Sequence, residues 1–297
     1  MKLSKKISLT LITFLIFILS NPIFAQKLEP KKRVFEPDHT ITSKIMGKDY
    51  QLYISFPESY STKDTISYPV LYVLDGAMQL PILGSVQEYL SFGREIEEVI
   101  IVGIGSGLDL PTYFINRTYD YTPSLDTISD RKYEKEFGFP EGTIKSGGAV
   151  KFLDCIKSEI VPFVDKHYKT TSERGITGHS LGGLFTAFCF INSSGYFTRF
   201  GINSPSIYWN KEELLNQAVL KFSENENWDI PPTKVFISVG ELEGIKMVPT
   251  MVKFSSYLEN SDYENINLSW QIFDNESHVS VIPAILSRTL SVLYGKK

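Results

Sequence analysis

The residues of this chain most able to do chemistry lie in one run, Arg174-Gly-Ile-Thr-Gly-His-Ser-Leu-Gly-Gly-Leu184. At its centre, Gly178-His179-Ser180-Leu181-Gly182 fits Gly-x-Ser-x-Gly, in which a serine sits on a tight strand-to-helix turn with its hydroxyl lifted clear of a sheet. Side chains two residues either side of Ser180 are expected to collide with neighbouring backbone, which accounts for glycine at 178 and 182. A helix starting at the serine would aim its unpaired N–H groups and positive dipole end at any oxyanion formed there. His179, the variable residue of the motif, is expected to point away from Ser180.

A serine hydroxyl needs an adjacent general base, and the chain has four histidines to supply one. His39 precedes the elements around the motif. His167 lies at a helix end between Asp165 and Lys169 and suits a solvated cap. His278 follows the last strand-like run, in the polar loop Asp274-Asn-Glu-Ser-His278. Catalysis in such folds gathers at the carboxyl ends of parallel strands, so His278 is the expected base. The orienting acid should lie on an intermediate loop, and Val239-Gly-Glu-Leu-Glu243 offers both Glu241 and Glu243. Asp262 and Glu264 come later and fit less well. The two oxyanion donors are expected from Leu181, just after the serine, and from Gly76 or Ala77 after the apolar run Leu71–Leu74. No metal or organic cofactor is needed for this chemistry, and no phosphate or dinucleotide loop is visible.

The surrounding pattern must position these groups. Gly47-Lys48 suits a hairpin turn from a strand near Ile41–Ile45, and Tyr50 to Phe56 alternates like a half-buried strand. Tyr68–Leu74 and Glu98–Ile104 are nearly continuous apolar runs, as in central parallel strands. A helix is expected from Pro81 to about Gly93, with proline at its start. Residues 105–146 show no convincing periodicity and read as a long loop, too aromatic for a disordered linker. That segment carries Tyr113, Phe114, Tyr119, Tyr121, Tyr133, Phe137 and Phe139, and suggests a cover over a flat aromatic acyl group. Arg117 either meets an anionic or oxygen-rich part of the ligand or pairs with Asp120 or another acid. A helix follows over Gly148–His167, then the motif strand Gly175-Ile-Thr and a buried helix through Leu184–Ile191. After these come a strand at Phe197–Ile202, a loop whose Tyr208 and Trp209 are candidate substrate contacts, a helix at Lys211–Phe222, and a strand at Thr233–Val239. A helix at Met247–Asn260, a strand at Ile266–Phe273 and a helix at Val279–Tyr294 complete the chain. Strands and helices alternate throughout, which predicts an α/β fold, a mostly parallel sheet with helices on both faces.

The chain has 297 residues, 42% hydrophobic and 22% charged, enough for one large α/β domain over 35–297. Met1–Lys6 is basic, Ile7–Leu19 is apolar but too short to span a bilayer comfortably, and Ala25 precedes a plausible cleavage point. Residues 1–25 therefore read as a secretory signal peptide, 26–34 as a linker, and the protein as secreted or periplasmic. Cleavage removes Lys2, Lys5 and Lys6 and no acids, taking the formal net charge from −4 to −7. An acidic mature chain has no obvious nucleic-acid footprint, and no second stretch could span a membrane. Cys155 and Cys189, each inside an expected helix, read as two buried thiols.

Leu74-Asp-Gly76, Arg117-Thr-Tyr-Asp-Tyr-Thr-Pro123, Gly178-His-Ser-Leu-Gly-Gly183, Ser204-Pro-Ser-Ile-Tyr-Trp209, Val239-Gly-Glu-Leu-Glu243 and Glu276-Ser-His278 together resemble an esterase family of the α/β-hydrolase superfamily. That family includes S-formylglutathione hydrolases, feruloyl esterases, mycolyltransferases and catecholate siderophore esterases. The siderophore branch is most similar, through the Ser-Pro-Ser-x-x-Trp and Val-Gly-Glu-Leu-Glu segments. The resemblance implies an α/β-hydrolase fold, Ser–His hydrolysis of a small-molecule ester or lactone, and Glu243 at the position where other branches place an aspartate. An acyltransferase, a feruloyl or acetyl carbohydrate esterase, or a non-catalytic ligand-binding protein on the same scaffold would share the pattern.

Overall fold

The computed structural model describes residues 35–63, 65–224 and 228–296; the expected signal peptide and linker lie outside them. From Glu36 on the chain forms one unit built on an eight-stranded sheet. Its strands are β1 (His39–Ser43), β2 (Lys48–Ser55), β3 (Tyr68–Leu74), β4 (Ile100–Gly105), β5 (Thr170–His179), β6 (Arg199–Asn203), β7 (Thr233–Gly240) and β8 (Ile266–Phe273). Their spatial order is β1-β2-β4-β3-β5-β6-β7-β8. Among the strands of the described residues, the β1–β2 and β2–β4 pairings are antiparallel. The remaining neighbours are parallel.

β3 shows why the sheet needs cover on both faces. Val70, Tyr72 and Leu74 join one buried cluster, and Leu71 and Val73 join another. The second cluster lies under α1 (Gly76–Phe92) and the last helix, through Leu83, Ile285, Leu286, Leu290 and Leu293. The first lies under the helices between them. Each such side chain taken fully out of water contributes roughly 1.5–3 kcal/mol, so the continuous apolar runs have no stable alternative to a two-faced burial.

Those intervening helices are α2 (Leu110–Tyr121), α3 (Thr127–Phe137), α4 (Ala149–Cys155), α5 (Val161–His167), α6 (Leu181–Asn192), α7 (Trp209–Glu224) and α8 (Gly244–Asn260), and α9 (Ile282–Tyr294) closes the chain. A π-helical turn, Ile156–Ile160, joins α4 to α5.

Several expectations are corrected. β2 is buried on both faces across Tyr50–Tyr53, because α1 packs on the face that the alternation assigns to solvent, with Ser55 Oγ donating to Gln87 at 2.8 Å. α1 begins at Gly76, which leaves Pro81 inside the helix. The aperiodic segment 105–146 holds α2 and α3. Their signals were caps rather than periodicity: Asp109 accepts from Thr112 N–H ahead of Pro111, Asp126 accepts from Ile128 and Ser129, and Gly138 closes α3 in the left-handed region. α7 opens with three consecutive left-handed residues, Asn210, Lys211 and Glu212. Cys155 and Cys189 are both free and buried, and burial pushes the Cys155 thiol up to about 12.

The glycines around Ser180 have unequal duties. A Cβ on Gly178 would lie 2.5 Å from the Gly182 carbonyl oxygen, and one on Gly183 only 2.3 Å from that of Asn203. A Cβ on Gly182 would meet nothing nearer than 3.5 Å, so the expected collision at that position is absent. Gly178→Ala and Gly183→Ala should therefore destabilise by about 1–3 kcal/mol, while Gly182→Ala should stay within about 1 kcal/mol of wild type. Thermal melts of the three variants decide the matter, and an equal loss in Gly182→Ala would contradict it.

Candidate active site

Ser180 sits between the end of β5 and the start of α6 with φ 65° and ψ −119°. That conformation is sparsely populated for a residue with a Cβ and persists only where neighbours over-determine it. The neighbours are visible. Ser180 N–H donates to Asn203 O at 3.1 Å, and Ser180 O accepts from Leu184 N–H at 3.0 Å and Ser206 N–H at 3.1 Å. Beneath the turn, Asn203 is fully buried and joined to three elements. Its Nδ2 donates to Thr177 Oγ1 (3.0 Å) on β5, and its Oδ1 accepts from Ser238 Oγ (2.9 Å) on β7 and Thr289 Oγ1 (3.3 Å) on α9.

From this turn a chain of hydrogen bonds leads away from the nucleophile. Ser180 Oγ lies 3.0 Å from His278 Nε2, and His278 Nδ1 lies 2.7 Å from Glu243 Oε2. Glu243 is wholly buried at its side chain, whereas His278 is 39% exposed. The other Glu243 oxygen accepts from Ser204 Oγ and from Gly240 N–H, each at 2.6 Å. Every donor therefore aims the carboxylate in one direction. A carboxylate can only accept, so Nδ1 of His278 carries the proton and Nε2 is left to accept from Ser180. This is the protonation state a general base requires.

Glu241, the other sequence candidate, accepts from Asn275 N–H at 2.8 Å and ties its loop to the one after β8. His39 bonds Tyr168, and His167 bonds the Phe163 carbonyl. His179 does not turn away from the site. Its ring centroid is 4.4 Å from that of His278, it is only 6% exposed, and its Nε2 has no hydrogen-bond partner among the described residues. Burial first, then the neighbouring His278 and Arg117, hold its imidazole well below the usual range, so it packs against His278 as a neutral ring. Sequence alone had no signal for this contact, since it depends on where the loop after β8 returns.

The expected oxyanion donors open two helices. Leu181 is the first residue of α6 and Gly76 the first of α1, where N–H groups have no partner inside the helix. Gly76 is sterically required, because a Cβ there would lie 2.4 Å from the Gly103 carbonyl carbon. Arg117 is paired with Asp75, Nε to Oδ1 at 2.8 Å and Nη2 to Oδ2 at 2.9 Å, so its fork faces an acid of the protein and not an open pocket. Asp120 is engaged elsewhere, by Lys48 at 2.7 Å and Tyr50 at 2.9 Å. Trp209, expected to touch substrate, is 3% exposed and bonds Ser124 O at 3.3 Å, which makes it a support behind the wall. Tyr208 is half-buried beside it.

The ligand-capable atoms of His179, Glu243 and His278 lie within 4.8 Å of one another. A cation there would have to displace the proton shared by Glu243 and His278, so the geometry suits proton transfer better than metal binding.

Glu243→Gln should lower kcat/KM by up to about ten-thousandfold, the scale for a lost tautomer-fixing carboxylate, and Glu241→Gln should leave it within about threefold. Steady-state assays of both on one ester decide between them. Equal effects would remove Glu243 from the relay.

Comparison with known proteins gives the arrangement its context. The Putative esterase family model matches residues 43–262, a span that includes Ser180 and Glu243 and ends before His278. A ferri-bacillibactin esterase from Bacillus subtilis is 28% identical over 264 residues, covering 84% of this chain and 86% of that protein. The crystal structure of a BES protein from Bacillus cereus superposes with a TM-score of 0.75 at 28% identity, covering 91% of this chain and all of that one. A siderophore hydrolase from Aspergillus nidulans shares the fold, with a TM-score of 0.70 at 22% identity over 89% of this chain and 97% of that one. The sheet order, the serine turn and these matches establish that the chain belongs to the Putative esterase family, with the α/β-hydrolase fold, and is a serine carboxylic ester hydrolase.

Proposed function

We propose that the chain is an exported esterase that opens the ester or lactone bonds of a catecholate siderophore, using Ser180, His278 and Glu243. The observation that carries the catalytic part is the unbroken path Glu243–His278–Ser180, anchored at its buried end by Ser204 and Gly240. Ser180 Oγ attacks the ester carbonyl carbon as its proton passes to His278 Nε2. Leu181 and Gly76 N–H groups receive the oxyanion. Collapse breaks the bond to the alcohol, which leaves with the proton from His278. Water, deprotonated by the same imidazole, then attacks the acyl carbon, and collapse breaks the bond to Ser180 Oγ, which takes the proton back from His278 as the acid leaves. Glu243 steadies the imidazolium without taking its proton.

The substrate class is supported by the likeness to the bacillibactin-type relative and by an aromatic row. Tyr113 packs on Phe114, Phe114 stacks on Phe137 at 4.5 Å, Phe137 touches Tyr133, and Tyr133 packs on Trp209. Phe137 is 44% exposed, so the row leaves aromatic surface open to a flat aryl group. Export is supported by the basic and apolar pattern of residues 1–25. No helix among the described residues is long and apolar enough to cross a membrane.

With the purified mature protein, a catecholate trilactone should be hydrolysed with at least about tenfold higher kcat/KM than a short acyl ester or a feruloyl sugar, the discrimination that about 1.4 kcal/mol of extra aromatic contact supplies. Ser180→Ala should abolish all three activities. A preference for the feruloyl or acetyl substrate would overturn the siderophore assignment. Mass spectrometry of protein from an exporting host should find Gln26 at the N-terminus, and a retained Met1 would contradict export.

A further inference from the structure

α2 presents Tyr113, Arg117 and Tyr121 at intervals of four residues, on one face of the helix. All three converge on Asp75. Arg117 grips both carboxylate oxygens, Tyr113 Oη donates to Oδ1 at 2.8 Å, and Tyr121 Oη accepts from Asp75 N–H at 3.1 Å. The same Arg117 Nη2 also donates to the His179 carbonyl at 3.1 Å. One guanidinium thus ties the turn after β3 to the turn after β5. Its planar group lies over the rings of Tyr121 and Tyr113, at 5.4 and 5.9 Å from their centroids.

The two turns joined in this way are the two that carry the oxyanion donors. Asp75 has φ 55° and immediately precedes Gly76; Ser180 has φ 65° and immediately precedes Leu181. A left-handed residue therefore sets the orientation of each donor peptide, and such a conformation costs of order 1–3 kcal/mol unless its surroundings enforce it. Asp75 makes no side-chain cap bond to α1, so the contacts from α2 are its side chain's enforcement. The Asp75 and Arg117 side chains are 3% and 13% exposed. Burial opposes the arginine's charge, and Asp75 together with the neighbouring tyrosines more than offsets it, so the guanidinium stays charged. A buried ion pair is poor value as a source of stability, since desolvation cancels much of its attraction. It does fix geometry, and a bidentate fork does so better than a point charge.

We propose that Arg117 is a positioning residue for the oxyanion hole, holding the Gly76 and Leu181 donors at their working separation, and that it does not bind substrate. This deepens the esterase assignment and rests on Ser180 being the nucleophile. A displacement of about 1 Å between catalytic groups can cost on the order of a hundredfold, and loss of one oxyanion donor costs about 10²–10³-fold in kcat.

The test compares wild type, Arg117→Lys, Tyr113→Phe and Ser180→Ala on three substrates: p-nitrophenyl acetate, its thionoester counterpart, and the anionic p-nitrophenyl hemisuccinate. Arg117→Lys keeps the charge and loses the fork. It should lower kcat on the acetate about 10²-fold, with KM within about threefold and the same factor on the hemisuccinate. Sulfur is a weaker acceptor in the hole, so the ratio of oxo-ester to thionoester turnover should also shrink in this variant. A KM increase confined to the hemisuccinate would overturn the proposal in favour of direct anion binding. A kcat loss with an unchanged oxo-to-thiono ratio would overturn it too. Should Arg117→Lys fail to fold by near-ultraviolet circular dichroism, Tyr113→Phe carries the test. It retains the ion pair and removes one donor to Asp75, so kcat should fall about threefold to tenfold, the scale of one modest hydrogen bond, with the same narrowing of the ratio. Wild-type kcat and ratio in that variant would overturn the proposal. Ser180→Ala separates the two levels, because retained acetate turnover there would sink the serine esterase assignment itself.

Discussion

The structure turns on a buried carboxylate with nowhere else to go. Glu243 is fully enclosed and accepts from Ser204, Gly240 and His278. Each donor lies at or beyond the carboxyl end of a different strand, β6, β7 and β8, and Ser180 follows β5. Those strands are adjacent and parallel, so their ends lie side by side at one edge of the sheet. Slipping one strand along the next would leave a buried carboxylate oxygen without a donor, at a cost of about 1–3 kcal/mol or more for a charged group. The catalytic geometry and the register of half the sheet are in this sense one constraint.

The second layer is polar and complete. Asn203 uses its amide on both sides, towards Thr177, Ser238 and Thr289, and its carbonyl holds the Ser180 N–H. A satisfied buried network rigidifies what it joins. Here it joins β5, β6, β7 and α9 directly under the strained serine. The apolar runs of β3 and β4 are buried almost throughout, while this network decides which of many packed arrangements the turn adopts.

Much of this was legible in the sequence, and the limits have physical reasons. Gly178-x-Ser180, the apolar runs of β3 and β4, and the alternation of strands with helices report local geometry and two-faced burial, which leave direct marks on residue choice. His278 is suggested by its place after the last strand, whereas position alone leaves Glu241 and Glu243 equal and only the family resemblance favours Glu243. β2 misled because its alternation suggests one wet face, yet α1 packs on that face and Gln51 and Tyr53 are buried. α2 and α3 were missed because their apolar residues serve the site and each other rather than one simple stripe. The partner of Arg117 could not be read, since Asp75 is 42 residues away along the chain. The same holds for His179, whose contact with His278 spans about a third of the chain. Trp209 shows the opposite error: an aromatic beside a site suggests a ligand, but its indole is spent on Ser124 behind the wall.

On this reading a neutral His278 makes Ser180 nucleophilic. Reaction of the intact protein with a fluorophosphonate, followed by peptide mapping and rate measurement across pH, tests it directly. A single adduct is expected, on the peptide containing Ser180, formed at a rate that rises with pH through one ionisation, because only the neutral imidazole can take the serine proton. An adduct on another residue, or labelling of Ser180 at a rate indifferent to pH, would contradict it.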